Sequence, residues 1–322
     1  MIAHFEIHSL QGICHRIVHG GEKYVKATVI TPAVEKDLAK LSELAPLHNP
    51  PALEGIAAAQ ALFPQVMQVG VFDTAFHAHL PPKAAFYPIP WELSQKYRIK
   101  RYGFHGIAHA FSWKKYVELS GNPKSKVITV HLGSGCSLAA IEAAVSVDTT
   151  MGFTPLDGVM MATRSGELDP AIVAFLCEKE KKSPDEVIRL LNHQSGLLGI
   201  AGSSSMQDLL KKTDSQAKLA IEMFLFHIQK KIGAFIAVLE GVDALIFSGG
   251  IGENNPELRQ KLVKTFGWYG LSISDEKNRS CKGLSPGSIE SINDTNSLYV
   301  VGSDENALIA EECRKLPPKI CS

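Results

Sequence analysis

Aromatic residues are scarce in this chain, at 7% of its 322 residues, and neither sign of charge dominates: 33 lysines and arginines face 33 aspartates and glutamates. A formal net charge of zero removes the electrostatic basis for nucleic acid or an anionic membrane as the main partner. Apolar runs of the roughly eighteen residues that a membrane span requires are missing too. The opening MIAHFEIHSL has neither the basic nor the apolar segment of a secretory signal. Six cysteines (Cys14, Cys136, Cys177, Cys281, Cys313 and Cys321) include no C-x-x-C pair. That argues against a disulfide framework or structural zinc and for a reducing, cytoplasmic setting. No repeat or low-complexity segment interrupts the chain. What remains, 45% hydrophobic and 20% charged, fits a soluble globular protein of one large or two medium domains.

Three apolar runs read as buried strands: Val66–Phe72, Lys126–Leu132 and Val242–Phe247. Each stops at a polar or glycine-rich patch: DTAFH, GSGCS and SGGIGEN. Between them, Ser183–Leu191 opens S-P-D-E, with Ser as cap and Pro in the first turn. Ala217–Leu239 is apolar at helical spacing and closes on Gly241. Strands alternating with helices predict α/β layers, in which functional groups collect where strands end.

Candidate chemistry lies at those ends. The turns His131–Ser137 and Ser248–Asn254 carry glycines that let backbone N–H groups approach a phosphate. Neither is a P-loop or dinucleotide fingerprint, and either is also readable as a plain turn. Arg16, between two histidines, and Arg164, in MMATRSGELDP, sit in apolar or glycine-bounded surroundings where a guanidinium needs an anion. That anion is a ligand or a structural partner such as Glu22 or Asp169. Twelve histidines include His48, His77, His79, His105 and His109 in turn-like contexts, with neutral core histidine as the plain reading and no zinc-binding spacing. Asp73, ending a strand, and Glu305, at a helix start, are placed as general base or phosphate-facing carboxylates, or simply as caps.

In order along the chain, these segments resemble the acetate kinase family. The matching stretches are HRIVHGGE (15–22), LAPLHNPP (44–51), VFDTAFH (71–77), RYGFHGIAH (101–109), HLGSGCS (131–137), VDTTMGFTPLDGVMMATRSGELDP (147–170), SGLLGIAG (195–202) and GGIGEN (249–254). The resemblance implies reversible phosphoryl transfer between ATP and acetate, with Mg2+, in a homodimer. It also implies the two-lobed fold shared with sugar kinases and actin, a ribonuclease H-like architecture. Arg16 would then grip the acetate carboxylate, beside His48, and Arg164 would neutralise the migrating phosphoryl group. His105 would steady the transition state, and Asp73 would orient the nucleophile or act as base. Val18, Leu47, Phe104 and Pro155 would line the methyl pocket. The runs His131, Leu132, Gly133, Ser134, Gly135 and Gly250, Ile251, Gly252, Glu253, Asn254 would hold ATP or ADP, and Glu305 would help place magnesium. Propionate is a plausible second substrate, since one methylene changes discrimination by only ~1–3 kcal/mol.

Three departures from the family pattern stand out. Roughly its first 75 residues, with an NAGSSSLK-type phosphate turn, have no counterpart ahead of HRIVHGGE, which implies an incomplete N-terminal lobe with an unpaired strand edge. Ser134 replaces the Asn of the family's H-L-G-N-G turn. The D-F-R or D-M-R that follows SGLLGISG reads Ser203-Ser204-Ser205-Met206-Gln207-Asp208 here. Two functions therefore stand side by side: an acetate kinase, or a degenerate relative that binds a carboxylate or acyl phosphate or partners a full-length kinase. The lobes are expected as residues 1–73 plus 306–322, and 74–305 with the nucleotide turns and dimer face, the cleft between them closing over the acyl phosphate.

Overall fold

A computed structural model describes residues 10–281, 287–289 and 296–316, so the outermost parts of the expected first lobe and Cys321 lie outside the described residues. The chain divides into two compact units: Met1–Ala78 with Phe104–Ile107 and Asp304–Ser322, and His79–Gly103 with Ala108–Ser303. Among the described residues no helix is long and apolar enough to cross a membrane.

The first unit is built on a three-stranded sheet: β1 (Gly12–Ile17), β2 (Thr28–Val29) and β3 (Met67–Phe72), in the order β1-β3-β2. β1 runs parallel to β3, with Arg16 opposite Val71 and Ile17 opposite Phe72. Thr31 starts the helix Pro32–Leu41 by accepting from the Val34 N–H, with proline at the first turn where its missing donor costs nothing. That helix and Asn49–Leu62 bury Val34, Leu38 and Ile56 against Ile17, Tyr24, Ile30 and Phe72. Helix Glu305–Arg314, capped by Asp304, packs on β1 and β3. Residues 104–107 and 304–305, expected in the second lobe, belong to this unit. The Gly106 N–H donates to the Asp73 carbonyl at 2.8 Å, and Glu305 pairs with Arg16.

The second unit holds β4 (Lys126–Leu132), β5 (Cys136–Glu142), β6 (Val145–Thr149), β7 (Ala244–Ser248), β8 (Gly287–Ser288) and β9 (Ser297–Val300), in the order β6-β5-β4-β7-β9-β8. β4, β7 and β9 are mutually parallel, while β5, β6 and β8 join antiparallel. Helix Ser215–Val238 presents Ala217, Ala220, Phe224, Ile228, Ile232 and Phe235 at three- and four-residue intervals, and all are buried. Gly241, at φ +118°, ends the helical run, and its N–H reaches back to the Ile236 carbonyl. Helix Pro184–His193 begins with the full capping box of Ser183 and Glu186. Two strand starts fall later than the apolar runs suggest. Val66 is held in a turn by Phe63, and the Val242 N–H is taken by the Tyr269 hydroxyl.

Candidate active site

In the first unit, the parallel pairing of β1 and β3 brings together residues 57 positions apart. The Asp73 N–H continues the ladder beyond β3 by donating to the Ile17 carbonyl at 3.0 Å. Its carboxylate therefore lies beside Arg16. Arg16 Nε donates to Asp73 Oδ1 at 3.0 Å and Oδ2 at 3.2 Å, and Nη2 to Oδ2 at 2.7 Å. The third nitrogen, Nη1, is 2.9 Å from Glu305 Oε2. The structural partners of Arg16 are thus Asp73 and Glu305, not Glu22 or Asp169. Asp73 is buried, whereas the Arg16 side chain keeps 40% of its surface exposed.

One guanidinium facing two carboxylates leaves the cluster short of one positive charge. Burial alone would lower Arg16, but the bonds and charge of Asp73 and the charge of Glu305 outweigh it, so the proton is held more tightly than usual. Burial raises the Asp73 carboxyl, against the pull of Arg16. Burial also raises Glu305, with the charge of Asp73 adding and that of Arg16 opposing.

The turns around this cluster are pinned to it. Asn49 braces the His-Gly-Gly turn reciprocally: its Oδ1 accepts from the His19 N–H at 3.2 Å and its Nδ2 donates to the His19 carbonyl at 3.1 Å. The Gly20 N–H donates to Thr74 Oγ1. His19 is fully buried, and the Gly21 N–H donates to its Nδ1, which fixes the neutral ring with its proton on Nε2. Burial lowers this histidine to about 4. Phe104 is buried edge-on to His19, with centroids 5.6 Å apart. Leu47 is 46% exposed, and Val18 and His48 are half-buried.

His105 has φ +55°, a left-handed conformation that costs a side-chain-bearing residue on the order of 1 kcal/mol and that persists where surroundings enforce it. The enforcing contact is next door. A Cβ on Gly106 would lie 2.2 Å from the Asp73 carbonyl oxygen, so only glycine lets this turn close on Asp73.

In the second unit, β4 and β7 are neighbouring parallel strands whose ends pair His131 with Ser248. Both glycine turns consequently emerge side by side from the carboxyl ends of adjacent strands, the place where such sheets bind ligands. His131 Nδ1 and Ser248 Oγ share a hydrogen bond at 3.2 Å. Within the first turn the Gly133 N–H donates to the Gly135 carbonyl, and the Ser134 carbonyl accepts from the Ala162 N–H. Gly249, at φ +77°, passes so close to Leu132 that a Cβ would lie 2.5 Å from its carbonyl oxygen. The residues Gly250–Asn254 form most of the short helix that follows.

Arg164 lies in the same unit, bonded through Nη1 to the Pro155 carbonyl at 3.2 Å and to Met161 Sδ at 3.8 Å. Among the described residues no carboxylate pairs with it, and Asp169 Oδ1 accepts from the Ala171 N–H instead. Pro155 thus has its carbonyl engaged by Arg164. Burial lowers the Arg164 guanidinium, which remains charged at neutral pH.

The sequence reading missed two supports. Arg259 is fully buried and bonds the carbonyls of Gly252 (2.6 Å), Glu253 (2.8 Å) and Asn278 (2.6 Å), as well as Asn278 Oδ1 (2.8 Å). Ser303 accepts from the Gly249 N–H through Oγ, and donates to Glu253 Oε1 through both N–H and Oγ. Together they fix the GGIGEN turn at both ends. An arginine at a helical position in PELRQKL reads as solvent-facing, so nothing in the local pattern marks it.

Among the described residues no group of three or more His, Cys, Asp or Glu side chains could hold a metal ion. Mg2+ asks for less: it keeps most of its waters and takes one or two carboxylates together with substrate phosphates. Glu305 Oε2 is buried and approached by Arg16 without the alignment of a hydrogen bond, and Asp73 lies near enough to repel it. Glu305 Oε2 is therefore an oxygen donor of the kind Mg2+ takes, whereas both Asp73 oxygens are bonded to Arg16.

Comparison with known proteins places the chain among relatives of one family. The model of a family described as the acetokinase family matches residues 3–311. The acetate kinase of Desulforamulus reducens is 47% identical over 277 residues, 84% of this chain and 70% of that protein. That of Carboxydothermus hydrogenoformans is 44% identical over 316 residues, 96% and 79% of the two chains. A propionate kinase structure from Francisella tularensis superposes with a TM-score of 0.90 at 40% identity, covering 94% of this chain and 78% of that one. Acetate kinase from Porphyromonas gingivalis gives 0.89 at 37%, covering 95% and 78%. The expected shortfall at the start of the family pattern is not borne out by these matches, which the family model meets from residue 3.

Two outcomes test this geometry. His19 titrates at about 4 in the folded protein against about 6.5 unfolded, so the unfolded chain takes up its proton first as pH falls. Between pH 6.5 and 4 the stability advantage of wild type over His19→Asn should shrink by about 3 kcal/mol in urea titrations. A pH-independent difference would contradict the buried neutral ring. Arg259→Ala strips the donors from several buried carbonyls, and a loss of at least about 3 kcal/mol is expected from the same measurement.

Proposed function

The chain belongs to the acetokinase family, and from that premise we propose that it transfers a phosphoryl group reversibly between ATP and acetate, forming acetyl phosphate and ADP. The observation that carries this reading is Arg16. Its Nε edge is fastened to a buried carboxylate and its Nη1 lies beside Glu305, while 40% of the side chain remains exposed.

A carboxylate attacking a phosphate brings two anions together, so cationic groups must offset their repulsion. Arg16 would bind the acetate carboxylate, its planar fork matching two oxygens. Asp73 would keep that fork in place, a role supported by three hydrogen bonds to it, and would thereby orient the nucleophile. Arg164 would neutralise the migrating phosphoryl group, a role supported by its lack of a carboxylate partner among the described residues. His105 would donate to the transferring group from its enforced left-handed turn. Val18, Leu47 and Phe104 would meet the acetate methyl, with His48 polar beside Leu47. His131–Gly135 and Gly250–Asn254 would receive the nucleotide phosphates on backbone N–H groups. Glu305 would help place Mg2+, which when bound screens phosphate charge.

The division of labour between an acid-binding lobe and a nucleotide-binding lobe belongs to the same proposal. So does a soluble cytoplasmic homodimer, for which the exposed Ile172, Phe175, Ile188, Leu219 and Phe226 of the second unit supply apolar contact surface. Propionate is a second substrate supported by the likeness to the Francisella tularensis propionate kinase, because a pocket for one methyl discriminates weakly against another methylene.

The test is ATP formation from acetyl phosphate and Mg-ADP by the purified 322-residue chain. Wild type should turn over, and Arg164→Ala should lose roughly 10³- to 10⁵-fold in kcat. A folded wild-type protein that forms no ATP would replace this reading with that of a non-catalytic relative.

A further inference from the structure

Of the histidines without a role above, His77 is 2% exposed and carries a polar ring into the interior of the first unit. It ends the short 3-10 turn Ala75–His77 that follows Asp73, and its own N–H donates to the Thr74 carbonyl at 3.2 Å. Its ring Nε2 lies 3.1 Å from the Phe104 carbonyl oxygen. A carbonyl only accepts, so Nε2 carries a proton and the ring is the donor. Two residues beyond Phe104, the Gly106 N–H donates to the Asp73 carbonyl at 2.8 Å. Residues 73–77 therefore grip residues 104–106 at two points.

Between those points stands His105. Its φ is set by the orientation of the peptide it shares with Phe104, and its ψ by that of the peptide it shares with Gly106. His77 fastens the first peptide through the carbonyl, and Asp73 fastens the second through the N–H. With both peptide planes held, the left-handed conformation at φ +55° is imposed on His105 from either side. Phe76 crowds the same turn, since a Cβ on Gly106 would lie 2.9 Å from the Phe76 Cβ. Phe104 and Gly106 are buried, whereas His105 between them is only half-buried.

We infer, resting on the role proposed for His105, that His77 is a positioning residue that holds the Phe104–His105 peptide and thereby aims the His105 side chain at the transferring phosphoryl group. His77 itself exchanges no proton with substrate. Its buried ring sets a donor at one fixed place, and without it the Phe104 carbonyl would have to turn to find another partner.

The experiment compares wild type with His77→Gln, whose amide nitrogen reaches the place of Nε2, and with His77→Met and His77→Asn, which offer no donor there. Amide hydrogen exchange is followed at Gly106 and, as a reference in the same unit, at Asp73, whose N–H goes to the Ile17 carbonyl. In the two variants without a donor, exchange at Gly106 should quicken roughly 10-fold or more while Asp73 keeps its wild-type rate, and His77→Gln should restore Gly106. In ATP formation from acetyl phosphate and Mg-ADP, the same two variants should lose on the order of 10- to 100-fold in kcat, with KM for acetyl phosphate changed by less than about twofold. In a His105→Ala background, His77→Met should cost less than about twofold more. Unchanged exchange at Gly106, equal quickening at Gly106 and Asp73, or losses that multiply in the double variant would overturn the assignment. Wild type that forms no ATP would sink the phosphotransferase reading alone, because exchange at Gly106 still decides whether His77 holds the turn.

Discussion

A guanidinium that is to meet a substrate carboxylate must be held by a charge that the substrate does not displace. In the proposed role of Arg16, Asp73 supplies that charge from a buried position, accepting from Nε and Nη2 of Arg16 and leaving the Nη1 side to Glu305. Much of the first unit exists to make that arrangement possible. The parallel pairing of β1 with β3 sets the two residues side by side, and the Asp73 N–H extends the ladder by one bond. Gly106 closes the Phe104–His105 turn onto the Asp73 carbonyl, and Thr74 holds Gly20. Charged hydrogen bonds to buried groups are worth more than neutral ones, so the pairing orders the turns around it as well as the arginine.

The second unit solves a different problem with backbone rather than charge. In the proposed nucleotide site phosphate would be met by N–H groups, which are free to point outward where strands end and glycine relaxes the chain. Adjacent parallel strands place two such turns together. Arg259 and Ser303 then fix the second turn through the carbonyls of Gly252 and Glu253, the Glu253 side chain and the Gly249 N–H. Arg259 donates to carbonyls that would otherwise lie without partners, and Ser303 joins the Gly249 N–H to the Glu253 carboxylate.

Local chemistry was well written in the sequence. The strand Lys126–Leu132 was legible to the residue from its apolar run, and the S-P-D-E start of the helix after Ser183 proved to be a complete capping box. Asp73 at a strand end and Glu305 at a helix start were legible as candidate residues, because polar groups ending apolar runs stand out. What could not be read was which of them meet. The pairing of Arg16 with Asp73 depends on the register of two strands 57 residues apart, and its third member comes from the far end of the chain. Named neighbours such as Glu22 and Asp169 were natural guesses from proximity in sequence. Arg259 was invisible for a related reason: its partners lie on the preceding turn and on residues 278–281, and only tertiary packing buries it. The family resemblance read from the ordered motifs carried the overall architecture further than periodicity did, since motifs encode long-range contacts that local pattern does not.

The central claim is that Asp73 acts through Arg16. A double-mutant cycle tests it most directly: kcat/KM for acetyl phosphate in wild type, Arg16→Ala, Asp73→Asn and the double variant. If Asp73 serves to hold Arg16, its loss should matter little once the arginine is gone, giving a coupling on the order of 1–3 kcal/mol. Losses that simply add would contradict the account and give Asp73 an independent role, such as general base.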